Sequence, residues 1–96
     1  MKMVLVALNI AIERHVLEKL SALGLRSYTK WPRLMGVGET SGPHLDSHIW
    51  PGANTVIAVV APDDKAAALM EEIRDLRKTL GSEGVKAFLL PVEDVT

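Results

Sequence analysis

Three runs of this chain, VLVAL (residues 4–8), TVIAVVA (55–61) and AFLL (87–90), are apolar at almost every position. Successive side chains of a strand point to opposite sides, so a sheet with one face in water alternates apolar and polar residues. These runs do not alternate. Whatever sheet they build must be covered on both faces, and that requirement limits the folds open to the chain more than any other feature of it.

Between the runs the periodicity changes. Ile12, Val16, Leu17, Leu20 and Leu23 return at helical spacing across 10–23, after Asn9 as a cap and before Gly24 as a C-terminal stop. A less regular stretch, 25–35, reads as a second strand whose Pro32 suits an edge or a bulge. After the apolar strand at 55–60, Asp63 and Asp64 follow Pro62 as cap and first-turn charges, and Ala66, Leu69, Met70, Ile73, Leu76 and Leu80 make a second amphipathic helix. A turn at 81–84 leads to a fourth strand, 85–90, closed by Pro91. The order is β-α-β-β-α-β, the signature of an α+β ferredoxin-like domain spanning 1–96, a four-stranded antiparallel sheet with both helices on one face. No residues are left over for the other face. The economical cover is another copy of the chain in a closed symmetric oligomer.

Charge narrows the partners. With 11 basic and 12 acidic side chains the net charge is -1, and no Lys/Arg cluster interleaves with aromatics, so nucleic acid is not expected to bind. The absence of cysteine removes disulfides, thiolate ligands and thiol nucleophiles. The apolar start runs into Glu13, Arg14 and His15 without a small-residue cleavage site, and no segment approaches membrane-spanning length, so a cytoplasmic location without membrane insertion is expected.

Four features carry candidate chemistry. HLDSH places His44, Asp46 and His48 within five residues, a donor set suited to zinc, copper or nickel, with the alternative that these are solvated polar residues of a long loop. GVGE puts Gly36 and Gly38 at the exit of the second strand, where glycine lets backbone approach a phosphate or simply turn. GSEGVK pairs Gly81 and Gly84 with Lys86, which as local structure alone is a helix C-cap followed by a solvated lysine. Trp31 and Trp50 flank the long loop, each beside a proline, as cleft walls or as packing at a subunit seam. No nucleophile elbow is present, and Ser41, His44, Asp46, Ser47 and His48 lie too close in sequence for a triad, so no enzyme activity is expected.

Taken together, the element order, the GxG leaving the second strand, the long loop before the third and the ending GSEGVKAFLLPVEDV resemble the PII signal-transduction proteins and their PII-like relatives. Lys86, Phe88, Pro91, Val92 and Glu93 fall in the family's order for the fourth strand. Gly36 and Gly38 match the glycines at the base of its T-loop, and Thr29 matches its second-strand threonine. The resemblance implies a homotrimeric sensor or regulator. It would bind an adenine nucleotide or another small ligand at three subunit clefts through Thr29, Gly36, Gly38, Gly81, Gly84 and Lys86, and would present the 38–52 loop to a protein target. Glu39 stands close to where the family carries a glutamine, and the loop lacks the tyrosine that some members modify. HLDSH has no counterpart there; it is similar instead, at the level of fold, to the CutA-type trimers of the wider superfamily, for which a divalent transition metal is the alternative ligand.

Overall fold

A computed structural model of the chain describes residues 1–36, 54–81 and 84–96. Four strands form one antiparallel sheet: β1 (Lys2–Asn9), β2 (Thr29–Leu34), β3 (Asn54–Ala61) and β4 (Val85–Pro91), in the spatial order β2-β3-β1-β4. A 3-10 turn (Ile10–Ile12) leads into α1 (Glu13–Ala22), and α2 (Asp63–Leu80) joins β3 to β4. This is the ferredoxin-like arrangement that the element order predicts.

Register decides which side chains meet the helices. Val4, Val6 and Leu8 of β1 stand level with Val59, Ile57 and Thr55 of β3 and with Leu89, Ala87 and Val85 of β4. That face packs on Val16 and Leu20 of α1 and on Ala66, Leu69, Ile73 and Leu76 of α2, so both helices share one side of the sheet. Removing a side chain such as Ile57 or Leu69 from water altogether contributes about 1.5–3 kcal/mol. On the other side, Met3, Leu5 and Ala7 stand level with Val60, Ala58 and Val56 and with Leu90, Phe88 and Lys86. Here Val60, Phe88 and Leu90 are exposed. The continuous apolar runs therefore feed two faces, one packed beneath helices except at Leu89 of β4, which is exposed, and one open within a single chain.

The differences from the sequence reading have local causes. The second strand begins at Thr29, not at residue 25, because Leu25 closes α1. Gly24 takes φ 75°, and the Leu25 N–H donates to the Leu20 carbonyl at 2.9 Å, which draws Leu25 into the core. Asn9 caps as expected, its side chain accepting from Ala11 N–H at 2.9 Å, but the turn it caps is 3-10 before it becomes α-helical. At α2 the boundary residue is Pro62, and Asp63 falls in the first turn, where it pairs with the N-terminal amine of Met1 at 2.9 Å.

Strand β2 carries the bulge that Pro32 suggests. Trp31 opposes Val56 and Leu34 opposes Asn54, so β2 spends three residues where β3 spends two. Arg33, inside that extra step, has φ 60°. Polar ties hold the layers together around this edge: Lys30 donates to Glu13 of α1 at 2.7 Å, Lys19 of α1 pairs with Glu72 of α2 at 2.8 Å, and Lys65 of α2 donates to the Leu23 carbonyl at 2.7 Å, complementing the C-terminal end of α1.

Candidate functional site

The described residues at the two ends of the link between α2 and β4, Gly81 on one side and Gly84 and Val85 on the other, are held at three points. Gly81 ends the helix at φ 102° and ψ 148°, a region open essentially to glycine alone, and its N–H donates to the Arg77 carbonyl at 3.1 Å. The Arg77 guanidinium donates to the Val85 carbonyl, so the last turn of α2 and the first residue of β4 are tied directly. On the β1 side, Asn9 N–H donates to the Gly84 carbonyl at 2.8 Å. A Cβ added at Gly84 would sit 3.4 Å from Ile12 Cδ1, and one added at Gly36 would sit 3.4 Å from Asn54 Nδ2, ordinary contacts with the ends of side chains.

Lys86 follows as the first exposed residue of β4. It stands level with Ala7 on the open face, its Nζ 5.7 Å from the centre of the Phe88 ring, close enough for a weak cation–π attraction. A groove of about 210 Å³ runs beside it between α2 and β4, lined by Met70, Ile73, Arg74, Arg77, Lys86 and Ala87. Arg74 is paired with Glu71. A larger depression of about 450 Å³ lies between α1 and α2, away from the glycine turn, with His15, Glu18, Lys19 and Asp75 on its rim.

The sequence-predicted residues fall into two groups. Gly81, Gly84 and Lys86 gather on the β4 edge. Thr29, level with Ala58 on the open face, and Gly36, two residues past the end of β2, belong to the opposite edge. Two strands separate those edges, so with neighbouring strands about 4.8 Å apart the groups stand roughly 14 Å from each other within one chain. The fold gathers Gly84 and Lys86 at one edge, while on the other Thr29, level with Ala58, and Gly36, beside Asn54, stand four β3 residues apart. Gly38 and the trio His44, Asp46 and His48 lie outside the described residues. Sequence reasoning missed Arg77, whose bond to Val85 fixes the glycine turn; an arginine one helical turn before a C-terminal glycine was the signal available. It also missed the conformation of Arg33, which nothing in the residue type announces.

Comparison with solved structures gives consistent relatives of this fold. CPII, a nitrogen regulatory PII-like protein from Thiomonas intermedia K12, solved bound to ADP, AMP and acetate, superposes with a TM-score of 0.72 at 18% identity over 99% of this chain and 88% of that one. The same protein bound to ADP, AMP and bicarbonate gives 0.69 at 20% identity, covering 92% and 81%. A putative PII-like signaling protein from Thermus thermophilus gives 0.63 at 20% identity, again over 92% and 81%. A search of curated protein sequences returns no match. The family model for nitrogen regulatory protein P-II matches residues 1–96, the full length given, and with the fold and the glycine–lysine turn in place the conclusion follows that this chain belongs to the P-II family.

Proposed function

We propose that this protein is a PII-like trimeric regulator that binds an adenine nucleotide or a related small ligand in clefts between subunits, uses the 38–52 segment as its effector surface, and carries out no chemistry of its own. One observation carries the reading: the predicted ligand residues divide between opposite edges of the sheet, so a site that uses both sets needs the β2 edge of one copy against the β4 edge of another. Supporting it are membership of a regulatory family and relatives solved with ADP and AMP bound. The apolar open face adds a reason for copies to associate. In this reading Lys86 neutralises phosphate charge, the Gly81–Gly84 turn lets backbone approach it, and ligand occupancy alters the 38–52 segment that a target protein meets.

The test is thermal stabilisation by ADP, AMP and ATP, read beside native mass spectrometry of the purified protein. A trimer whose melting point rises with nucleotide is expected, and Lys86→Ala should remove the rise while leaving the ligand-free melting point nearly unchanged, since an exposed lysine adds little to folding. Equal responses in mutant and parent would exclude Lys86 from the site.

A second reading, a divalent transition metal held by His44, Asp46 and His48, rests on the donor chemistry of HLDSH. Among the described residues no three His, Asp or Glu side chains gather as metal ligands. Calorimetry with zinc, copper and nickel decides the matter. Binding that weakens as pH falls through about 6.5 and disappears in His44→Ala and His48→Ala is the expected pattern, because imidazole ligates only when neutral.

A further inference from the structure

The depression of about 450 Å³ between α1 and α2 has no part in the reading above. It belongs to the helix layer, on the side of the sheet away from the open apolar face, so copies that meet through that face do not cover it. Lys65 of α2 reaches the end of α1 and Glu72 its middle, so the two helices run antiparallel and the depression is a trough along their length. Its floor is aliphatic. Ala22, the last residue of α1, is too small to fill the gap, and Leu76 and Leu80 of α2 line the other side. Leu76 is buried, whereas Leu80, one turn further on, is 40% exposed.

The rim carries a charge imbalance. Lys19 pairs with Glu72 at 2.8 Å, and its ammonium is held above the ordinary lysine range first by that hydrogen bond and, more weakly, by the charges of Asp75 and Glu18, which places three carboxylates around one lysine. Among the described residues no lysine or arginine pairs with Glu18 or Asp75, Lys78 on the next turn included; Glu18 has only His15, whose Nδ1 stands 4.0 Å from its Oε1. With Lys19 answered by Glu72, these two carboxylates border the aliphatic floor unanswered. Such a surface fits a segment that brings a leucine-sized side chain for the floor and a lysine or arginine beside it for the rim. An acidic segment meets like charge there, and a purely aliphatic one strips water from the carboxylates without replacing it.

We propose that the α1–α2 trough is a second protein-docking surface, taking a basic amphipathic helix of a partner protein, with an aliphatic side chain on Ala22, Leu76 and Leu80 and a lysine or arginine answered by Glu18 and Asp75. The trough is separate from the ligand residues at the sheet edges, and the assignment does not depend on the nucleotide reading. A contact here is made whether or not the clefts are filled, unlike one made through the 38–52 segment.

The experiment titrates the full chain, as purified, into a fluorescein-labelled amphipathic peptide of leucine, lysine and alanine, and into its counterpart with glutamate for every lysine, following anisotropy at about 150 mM salt. The parent protein is expected to bind the lysine peptide and not the glutamate one, with the same affinity in ADP. Glu18→Lys combined with Asp75→Lys should weaken the lysine peptide at least about tenfold and bind the glutamate peptide instead. Both residues are exposed, so the double variant should melt near the parent. Glu18→Gln with Asp75→Asn, milder still, should lose the first peptide without gaining the second, and Leu80→Gln should weaken it several-fold. Amide chemical-shift changes in the parent should map to α1 and α2. No binding of the lysine peptide, equal binding by parent and double variant, or shift changes confined to the sheet overturns the assignment. Concentration-dependent growth of the parent assembly that the double variant abolishes overturns it in favour of another copy of this chain as the occupant.

Discussion

A non-glycine residue in the left-handed region costs about 1–2 kcal/mol, and Arg33 holds that conformation within a strand. Glycine would relieve the strain while adding back about 0.5–1 kcal/mol of unfolded-chain freedom. Arg33→Gly is therefore expected to stabilise the chain by up to about 1 kcal/mol in urea unfolding; a clear loss of stability would mean that contacts of the arginine side chain outweigh its backbone cost. Asp63 offers a different test. Its carboxyl is held below the ordinary carboxylate range, first by the hydrogen bond from the N-terminal amine and then by that amine's charge. A depressed carboxylate adds stability above its unfolded value of 3.8 and loses it as pH falls through the lower folded value. Asp63→Asn should lower the melting point slightly at neutral pH, with the gap to the parent closing below about pH 4. Lys19, raised by its hydrogen bond to Glu72 and the attraction between them, has the opposite sign: its contribution holds below 10.5 and fades as pH rises through the higher folded value.

Between elements, the sheet's two faces give adjacent residues of β3 different fates. Val59 lies under the helices and Ala58 on the open face, level with Leu5 and Thr29. Val59→Asp should abolish folding, since an unpaired charge in an apolar core costs several kcal/mol. Ala58→Asp should leave a folded chain by circular dichroism that no longer assembles. If both variants remain assembled, the open face is not where copies meet. Most of this architecture was legible from residue pattern alone: β1, β3, β4 and α2 begin and end within a residue or two of the expected limits, because Val, Ile and Leu runs and 3.6-residue periodicity are local signals. Strand β2 was the weak point. Leu25 looks like strand sequence but is spent closing α1, and the bulge changes which face Leu34 joins, a matter of pairing with β3 rather than of residue type. The glycine–lysine turn was equally local, hence readable. That Thr29 and Gly36 sit across the sheet from it follows only from strand order, which no short motif encodes.

For the molecule as a whole, the proposed trimer would bring its two unlike edges together head to tail, with the open apolar face covered between copies. If sites lie at the seams, chains damaged on different edges should complement each other. Thr29→Ala and Lys86→Ala proteins, each defective in ADP binding alone, should recover about one quarter of the parental sites after unfolding together in equal amounts and refolding, since a seam is sound when an intact β2 edge meets an intact β4 edge. A site contained within one chain would show no recovery. Head-to-tail contacts carry a hazard that self-paired surfaces avoid: they close into a ring only at one angle, and at any other they propagate. The bulge on β2 bears on this. Pro32 has no N–H to give an incoming strand, and the extra residue breaks the regular spacing that a strand would need to dock along the full edge. The same irregularity that changes the face of Leu34 thus interrupts the edge as a template, so that a stray copy finds no straight ladder on which to start a fibre.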